Sequence, residues 1–266
     1  MIKAKRQEIG IGVHFGKNVE IDVKDTLHIG DRARIGDNAK IYGRNVTIGN
    51  DFYSSDWEFG GLEIGRGRRN WPGANLVIGD RCTLHNNRID LSRSVTIGDD
   101  VGLSPEVTIY GHGYWLSMLD GFPVTYGDVR IGSGTIVGYR SLILPGSDIG
   151  QKCVIGAQSV VSGKLKGKSV YAGSPAKLLR DVKQPTEAER RNMLDGLIEL
   201  YLQFCEYRAV SVPIVVDYPF VFVDECVFNV LTLKFDGQEN PLTDDFRDFV
   251  FRYGLRFYSK RPFRAL

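Results

Sequence analysis

The chain holds four histidines in different settings. His112 lies in VTIYGHGYWLS (107–117), where a strand-like alternation gives way to a glycine- and aromatic-rich stretch. Imidazole, with an ordinary pKa of about 6.5, suits proton removal at neutral pH. His112 therefore reads either as a general base or as a hydrogen-bonded turn residue. Glu106, six residues earlier, offers it a carboxylate partner. His85 stands in CTLHNNRID (82–90), close to the polar residues Asn86 and Asp90. His14 and His28 read as structural or surface residues. A hydratase-type zinc site needs three converging histidines. Only His85 and His112 fall in one neighbourhood, so no metal is expected.

The elements that must position these residues come from a repeat. Ile-Gly recurs at 29, 35, 48, 64, 78, 97, 131, 149 and 155. Ile131, Val137, Ile143, Ile149, Ile155 and Val161 are each six apart, and Ile97, Leu103 and Ile109 keep the same period, as do Ile29, Ile35 and Ile41. A six-residue period fits neither a helix nor an alternating strand; it fits a short strand plus a tight turn. Three such units close a coil of about 18 residues, and coils stack into a solenoid around an aliphatic ladder. Small residues such as Ala33, Ala39, Ser141, Ala157 and Ser159 suit crowded corners. The period breaks at 50–77 and again at 111–128. Long interruptions of a repeat map to loops, often on the binding face.

Composition divides the chain near residue 182. Of 31 glycines, 28 precede residue 180, whereas ten of 14 phenylalanines follow it. The formal net charge of +2 gives no reason to expect a nucleic-acid partner. No apolar stretch approaches the length of a membrane span, and MIKAKRQEIGIG lacks the apolar core of a secretory signal. Cys82, Cys153, Cys205 and Cys226 form no CxxC pair and read as free thiols of a reducing cytoplasm.

Three features resemble the hexapeptide-repeat acyltransferases: the repeat itself, VTIGDDVGLSPEVTIYGHG (95–113), and the ILPG, IGAQSVV and AGSPAKLLR segments within 129–182. The resemblance covers about residues 20–182 and is nearest to the branch acetylating galactosides, maltose, antibiotics and polysaccharides. It implies a mainly β fold, a left-handed parallel β-helix and thus an exception to the usual crossover hand. It implies a homotrimer with active sites between subunits, acetyl-CoA as donor, and a saccharide acceptor, expected to be a sugar hydroxyl of a bacterial surface polysaccharide or its precursor. By the same resemblance His112 is the catalytic base, and His85, Asn86 and Asp90 occupy the acceptor-binding neighbourhood. Gly138, Tyr139, Ala157 and Ser162 match positions along the pantetheine arm, with an oxyanion donor near Gly138 and Tyr139. Lys177 and Arg180 match the basic pair at the cofactor's phosphates. Ile136 stands where many relatives carry tryptophan. An N-acetyltransferase on a nucleotide-linked amino sugar, and a non-catalytic scaffold, are the rival readings.

Residues 183–266 read as a small α+β domain. Thr186 and Glu189 form a capping-box signal for a helix over 186–209, with Leu194, Leu197, Ile198 and Tyr201 at helical spacing. Two or three strands are expected over 210–235, and a second helix capped by Thr243 through Tyr253. From Phe246 onward six Lys or Arg face one acid, Asp248. Such an end suits an acidic glycan or peripheral contact with a lipid-phosphate carrier at the membrane; a packing module is the alternative. RGRR (66–69) weakly suggests an anionic acceptor, and Lys164, Lys166 and Lys168 read as a solvated run.

Overall fold

Hexapeptide units stack in register on three faces of a coil. The computed structural model describes residues 1–55, 60–65 and 71–259. The chain divides into two units, Met1–Val182 and Lys183–Leu266.

The first unit is a parallel β-helix built from short strands and turns. Its first face carries the strands His14–Phe15, Arg34–Ile35, Tyr53–Ser54, Thr83–Leu84, Gly102–Leu103, Ile136–Val137, Val154–Ile155 and Ser169–Ala172, each parallel to the next. On the second face Ile21, Ile41, Ile64, Ile89, Ile109, Ile143 and Val161 stand directly one above another. On the third, Ile29, Ile48, Ile78, Ile97, Ile131, Ile149 and Leu165 do the same. These ladders are buried and form one continuous core. Each buried aliphatic side chain contributes roughly 1.5–3 kcal/mol.

The corners between faces are turns. At the corner joining the third face to the first, Asp31, Asn50, Asp80 and Asp99 each accept, through Oδ1, a backbone N–H from the preceding coil. Local side-chain bonds of this kind fix turns. The first corner, between first and second faces, holds Ser55, His85, Glu106, Gly138 and Ala157 in successive coils. The second corner, between second and third faces, holds 65, 71–74, 90–94, 110–128, 144–147 and 162–163 among the described residues. Of the interruption expected over 50–77, the described residues 60–62 fall on the first corner and 65 and 71–74 on the second, where 111–128 also leaves the coil. RGRR (66–69) lies outside the described residues.

In the second unit the helix α1 (Glu187–Tyr207) has the expected capping box: Thr186 Oγ1 accepts from Glu189 N–H, and the Glu189 carboxylate accepts from Thr186 N–H. Leu194, Leu197, Ile198 and Tyr201 are buried along one side. Four antiparallel strands follow, Ile214–Asp217, Phe220–Val223, Cys226–Asn229 and Lys234–Gly237. This exceeds the two or three expected, because the last pair forms within a stretch of weak alternation. The helix α2 (Pro241–Phe251) starts at Asn240, not Thr243. Asn240 Oδ1 accepts from Leu242 and Thr243 N–H, and Pro241 occupies the first helical position, where a missing N–H costs nothing. Phe246, Phe249 and Val250 pack with Phe228 and Tyr201 in a second core.

Candidate active site

His112 opens the long excursion of the second corner. It pairs with Tyr126, and Gly113 with Thr125, so 112–126 is a hairpin standing out from the coil. The coil resumes at Gly127, whose N–H donates to Gly111 O. The corner stacks tightly on the one beneath. A Cβ on Gly111 would meet Arg93 N at 2.8 Å, so a side chain there would push His112 off its seat.

One coil below, Asp90 faces the imidazole. Ile89 lies opposite Ile109, which places Asp90 under the Gly111–His112 turn. Asp90 Oδ2 is 2.5 Å from His112 Nδ1 and accepts the Gly111 N–H at 3.1 Å. Asp90 Oδ1 accepts the Ser92 N–H and the Ser92 hydroxyl at 3.1 and 3.0 Å. The Ser92 oxygen also lies 2.9 Å from Nδ1. A carboxylate accepts only, so the proton sits on Nδ1 and the Nε2 lone pair is left for another partner. Both side chains are mostly buried, at 23% and 16% exposure for His112 and Asp90. Tyr114 and Tyr126 flank the ring at 5.1 and 6.2 Å, and Tyr110 meets it edge-on at 6.4 Å.

The other expected residues are distributed more widely. Asp90, expected in the acceptor-binding neighbourhood, has both oxygens bonded, to His112, Gly111 and Ser92. His85 and Asn86 do not join this cluster: they sit on the first corner. His85 Nδ1 meets the Ser55 hydroxyl at 3.0 Å, and burial pushes its pKa below the ordinary histidine value. Asn86 Oδ1 accepts from Glu106 N–H. Glu106 is not the partner of His112 either. It binds Arg140 Nε at 2.6 Å and accepts from the Tyr139 hydroxyl at 3.1 Å; the guanidinium holds its carboxyl below the usual range.

Gly138, Tyr139 and Ala157 follow one another up the first corner; a Cβ on Gly138 would meet Ala157 N at 2.6 Å. Ser162 lies on the second corner, above His112's column, since Leu144 N–H donates to Val161 O there. One chain thus does not gather the expected cofactor residues at His112. Lys177 and Arg180 lie on the closing strand Lys177–Asp181, which pairs antiparallel with Ser169–Ala172 and is exposed throughout. Neither has a carboxylate partner among the described residues, whereas Lys166 pairs with Asp181 at 2.8 Å. Among the described residues no group of His, Cys, Asp and Glu could hold a metal, and no helix is long and apolar enough to cross a membrane. Of the basic C-terminal end, Arg247 is bonded by Glu239 at 2.7 Å, and 260–266 lie outside the described residues.

Sequence reasoning missed Ser92 and the tyrosines around the ring. The available signal was vertical: Ile89 and Ile109 occupy equivalent repeat positions, which sets Asp90 and Ser92 beneath Gly111 and His112.

No family model matches the chain. It is 37% identical over 149 residues to a provisionally named acetyltransferase of Saccharomyces cerevisiae, covering 53% of this chain and 58% of that protein. It is 38% identical over 60 residues to a provisionally named acetyltransferase of Mycobacterium tuberculosis, covering 23% of this chain and 20% of that one. The chain thus spans less than two thirds of these relatives. Among solved structures it resembles a galactoside acetyltransferase in complex with coenzyme A, at 24% identity and a TM-score of 0.37, over 64% of each chain. The chain is thus similar to proteins named as acetyltransferases over the shares just given.

Proposed function

We propose that the chain transfers an acetyl group from acetyl-CoA to a sugar hydroxyl, in the assembly of a bacterial surface polysaccharide, with His112 as general base. The observation that carries this reading is the Asp90–His112 pair, which fixes the proton on Nδ1 and leaves Nε2 basic. Nε2 takes the hydroxyl proton as the sugar oxygen bonds to the thioester carbonyl carbon. Asp90 stabilises the imidazolium that forms, as a buried carboxylate does beside a catalytic histidine. The C–S bond then breaks, and the imidazolium returns its proton to the departing thiolate. No covalent bond to the protein is needed. Tyr110, Tyr114 and Tyr126 narrow the approach of water to the ring.

The donor reading is supported by the two cations of the closing strand, whose charges are unspent among the described residues and suit phosphates. Gly138, Tyr139 and Ala157 present a low-relief edge for the pantetheine arm, on a corner other than that of His112. A complete site then requires one copy's first corner to face another copy's second corner. That arrangement is heterologous and closes as a ring, here a homotrimer. The reaction draws on cytoplasmic acetyl-CoA, and His85 and Asn86 reach the acceptor only if they enter from a neighbouring copy.

The test is free-thiol release from acetyl-CoA by wild type and His112→Ala, with sugars, oligosaccharides and nucleotide-linked amino sugars as acceptors. Hydroxyl-dependent release lost in the variant supports the reading. Release with amino sugars alone would shift it to N-acetylation. Release that survives the variant would remove His112 as base.

A further inference from the structure

The two excursions of the second corner enclose a hollow beside the imidazole. Trp71, Pro72 and Gly73 of the lower excursion, Arg93 of the coil between, and Tyr126 of the upper hairpin line about 380 Å³. Its walls are anchored to the scaffold. The Ser94 hydroxyl donates to Gly73 O at 3.4 Å, and the Ser94 N–H donates to Asp128 Oδ1 at 3.2 Å. Asn75 Nδ2 donates to Pro72 O at 3.4 Å. A Cβ on Gly73 would lie 3.4 Å from Ser92 O and 3.5 Å from Arg93 Cα, so the lower turn rests directly on the Ser92–Arg93 corner. Ser94 therefore holds both sides of the hollow in one place.

Its chemistry is specific. Trp71 and Tyr126 leave aromatic surface open, at 43% and 39% exposure. The Arg93 guanidinium lies 5.9 Å from the centroid of the Tyr126 ring and pairs with no carboxylate among the described residues. Tyr126 also stacks beside His112, so hollow and base share one wall. A pyranose has one apolar C–H face and a polar rim. Aromatic surface suits the face, and a guanidinium fork suits a carboxylate or phosphate on the rim.

We propose that this hollow is the acceptor subsite for an anionic saccharide, its ring resting on Trp71 and Tyr126 and its carboxylate or phosphate on Arg93. The proposal rests on the reading of His112 as base and names the acceptor class of that same site. Trp71 and Arg93 set specificity and take no part in the proton transfer.

The experiment measures equilibrium binding to the full-length His112→Ala protein, so that no turnover intervenes. The probes are a glucan tetrasaccharide, the same tetrasaccharide oxidised to glucuronate at C6, glucose 6-phosphate, UDP-glucose and UDP. The oxidised form should bind about tenfold tighter than the neutral one, as one charge-assisted pair gives. Arg93→Gln should erase that preference, and Arg93→Lys should restore part of it. Trp71→Ala should weaken both tetrasaccharides alike. Unchanged thermal midpoints confirm that each variant is folded. Equal binding of the two tetrasaccharides, no binding of either, or a preference that survives Arg93→Gln overturns the proposal. So does tighter binding of UDP than of any saccharide, which would make the hollow a nucleotide site. Carboxylate against phosphate is decided by the oxidised tetrasaccharide and glucose 6-phosphate. Thiol release separates this proposal from the one beneath it. If the binding pattern holds but no acetyl group moves, the transfer reading fails and the saccharide site stands. If acetyl groups move to sugars with KM unaltered by Arg93→Gln and Trp71→Ala, the transfer reading stands and the subsite fails.

Discussion

The first and second corners of the solenoid are built from the same six-residue unit, yet they treat a histidine differently. His85 ends a strand of the first face and turns its Nδ1 to the Ser55 hydroxyl of the coil below. Burial favours its neutral form. His112 follows a strand of the second face and turns its Nδ1 to a carboxylate of the coil below. The carboxylates differ in the same way. Glu106 on the first corner is spent on Arg140 and Tyr139, in the open. Asp90 on the second is held by two backbone N–H groups and a hydroxyl, with Oδ2 shared between the Gly111 N–H and the imidazole. A repeat supplies equivalent positions; the residue one coil down decides what each of them bonds.

The largest expected effect is kinetic. His112→Ala should lower acceptor-dependent thiol release by roughly 10²–10⁴-fold, the usual contribution of a general base. Asp90→Asn keeps the shape but presents an amide to Nδ1 and favours the wrong tautomer. It should cost about 10²-fold or more in kcat, with the fold intact by circular dichroism. The double variant should be little slower than His112→Ala, because the two act as one unit. Additive losses would break the pairing.

The ladders give an internal control. Leu103→Ala under the first corner and Ile109→Ala under the second each remove a fully packed side chain. Both should cost about 2–5 kcal/mol by denaturant titration. Only Ile109→Ala should also depress the rate of the remaining folded protein, through displacement of His112.

A smaller effect appears in pH dependence. The folded state holds His85 below its unfolded pKa, so the unfolded chain binds the extra proton first. Stability should therefore be full above about pH 6.5 and fall as pH drops from there towards the lower folded value. His85→Gln should flatten that part of a Tm-against-pH curve. A slope unchanged by the substitution would assign it to other groups. Smallest of all, Glu106→Gln should leave Tm close to wild type, since its pair with Arg140 is solvent-exposed and easily screened.

The coil was legible because its signal is written in single residues at fixed spacing: six aliphatics from Ile131 to Val161 leave little else to build. Helix α1 was legible for a similar reason, with its cap and buried face both local. His112 is legible as a candidate base by resemblance, but the carboxylate that it bonds is not. Glu106 is six residues from His112 and faces another corner, whereas Asp90 is 22 residues away and adjacent. Contacts in a solenoid run between coils, and excursions change the residue count per coil. Ile89 to Ile109 spans 20 residues, but Ile109 to Ile143 spans 34. Register had to be counted along the ladder, not along the chain. The α2 start was misplaced because Thr243 is itself a good cap; Asn240 followed by Pro241 is a better one.

The closing strand Lys177–Asp181 has one further consequence. A parallel coil ending in a free edge is a template that another coil can extend without limit. Here the last strand of the first face is covered by a strand of opposite direction, bearing Lys177, Arg180 and Asp181. A reversed, charged edge does not continue the parallel register. That edge is therefore a poor template on which a further parallel strand could grow.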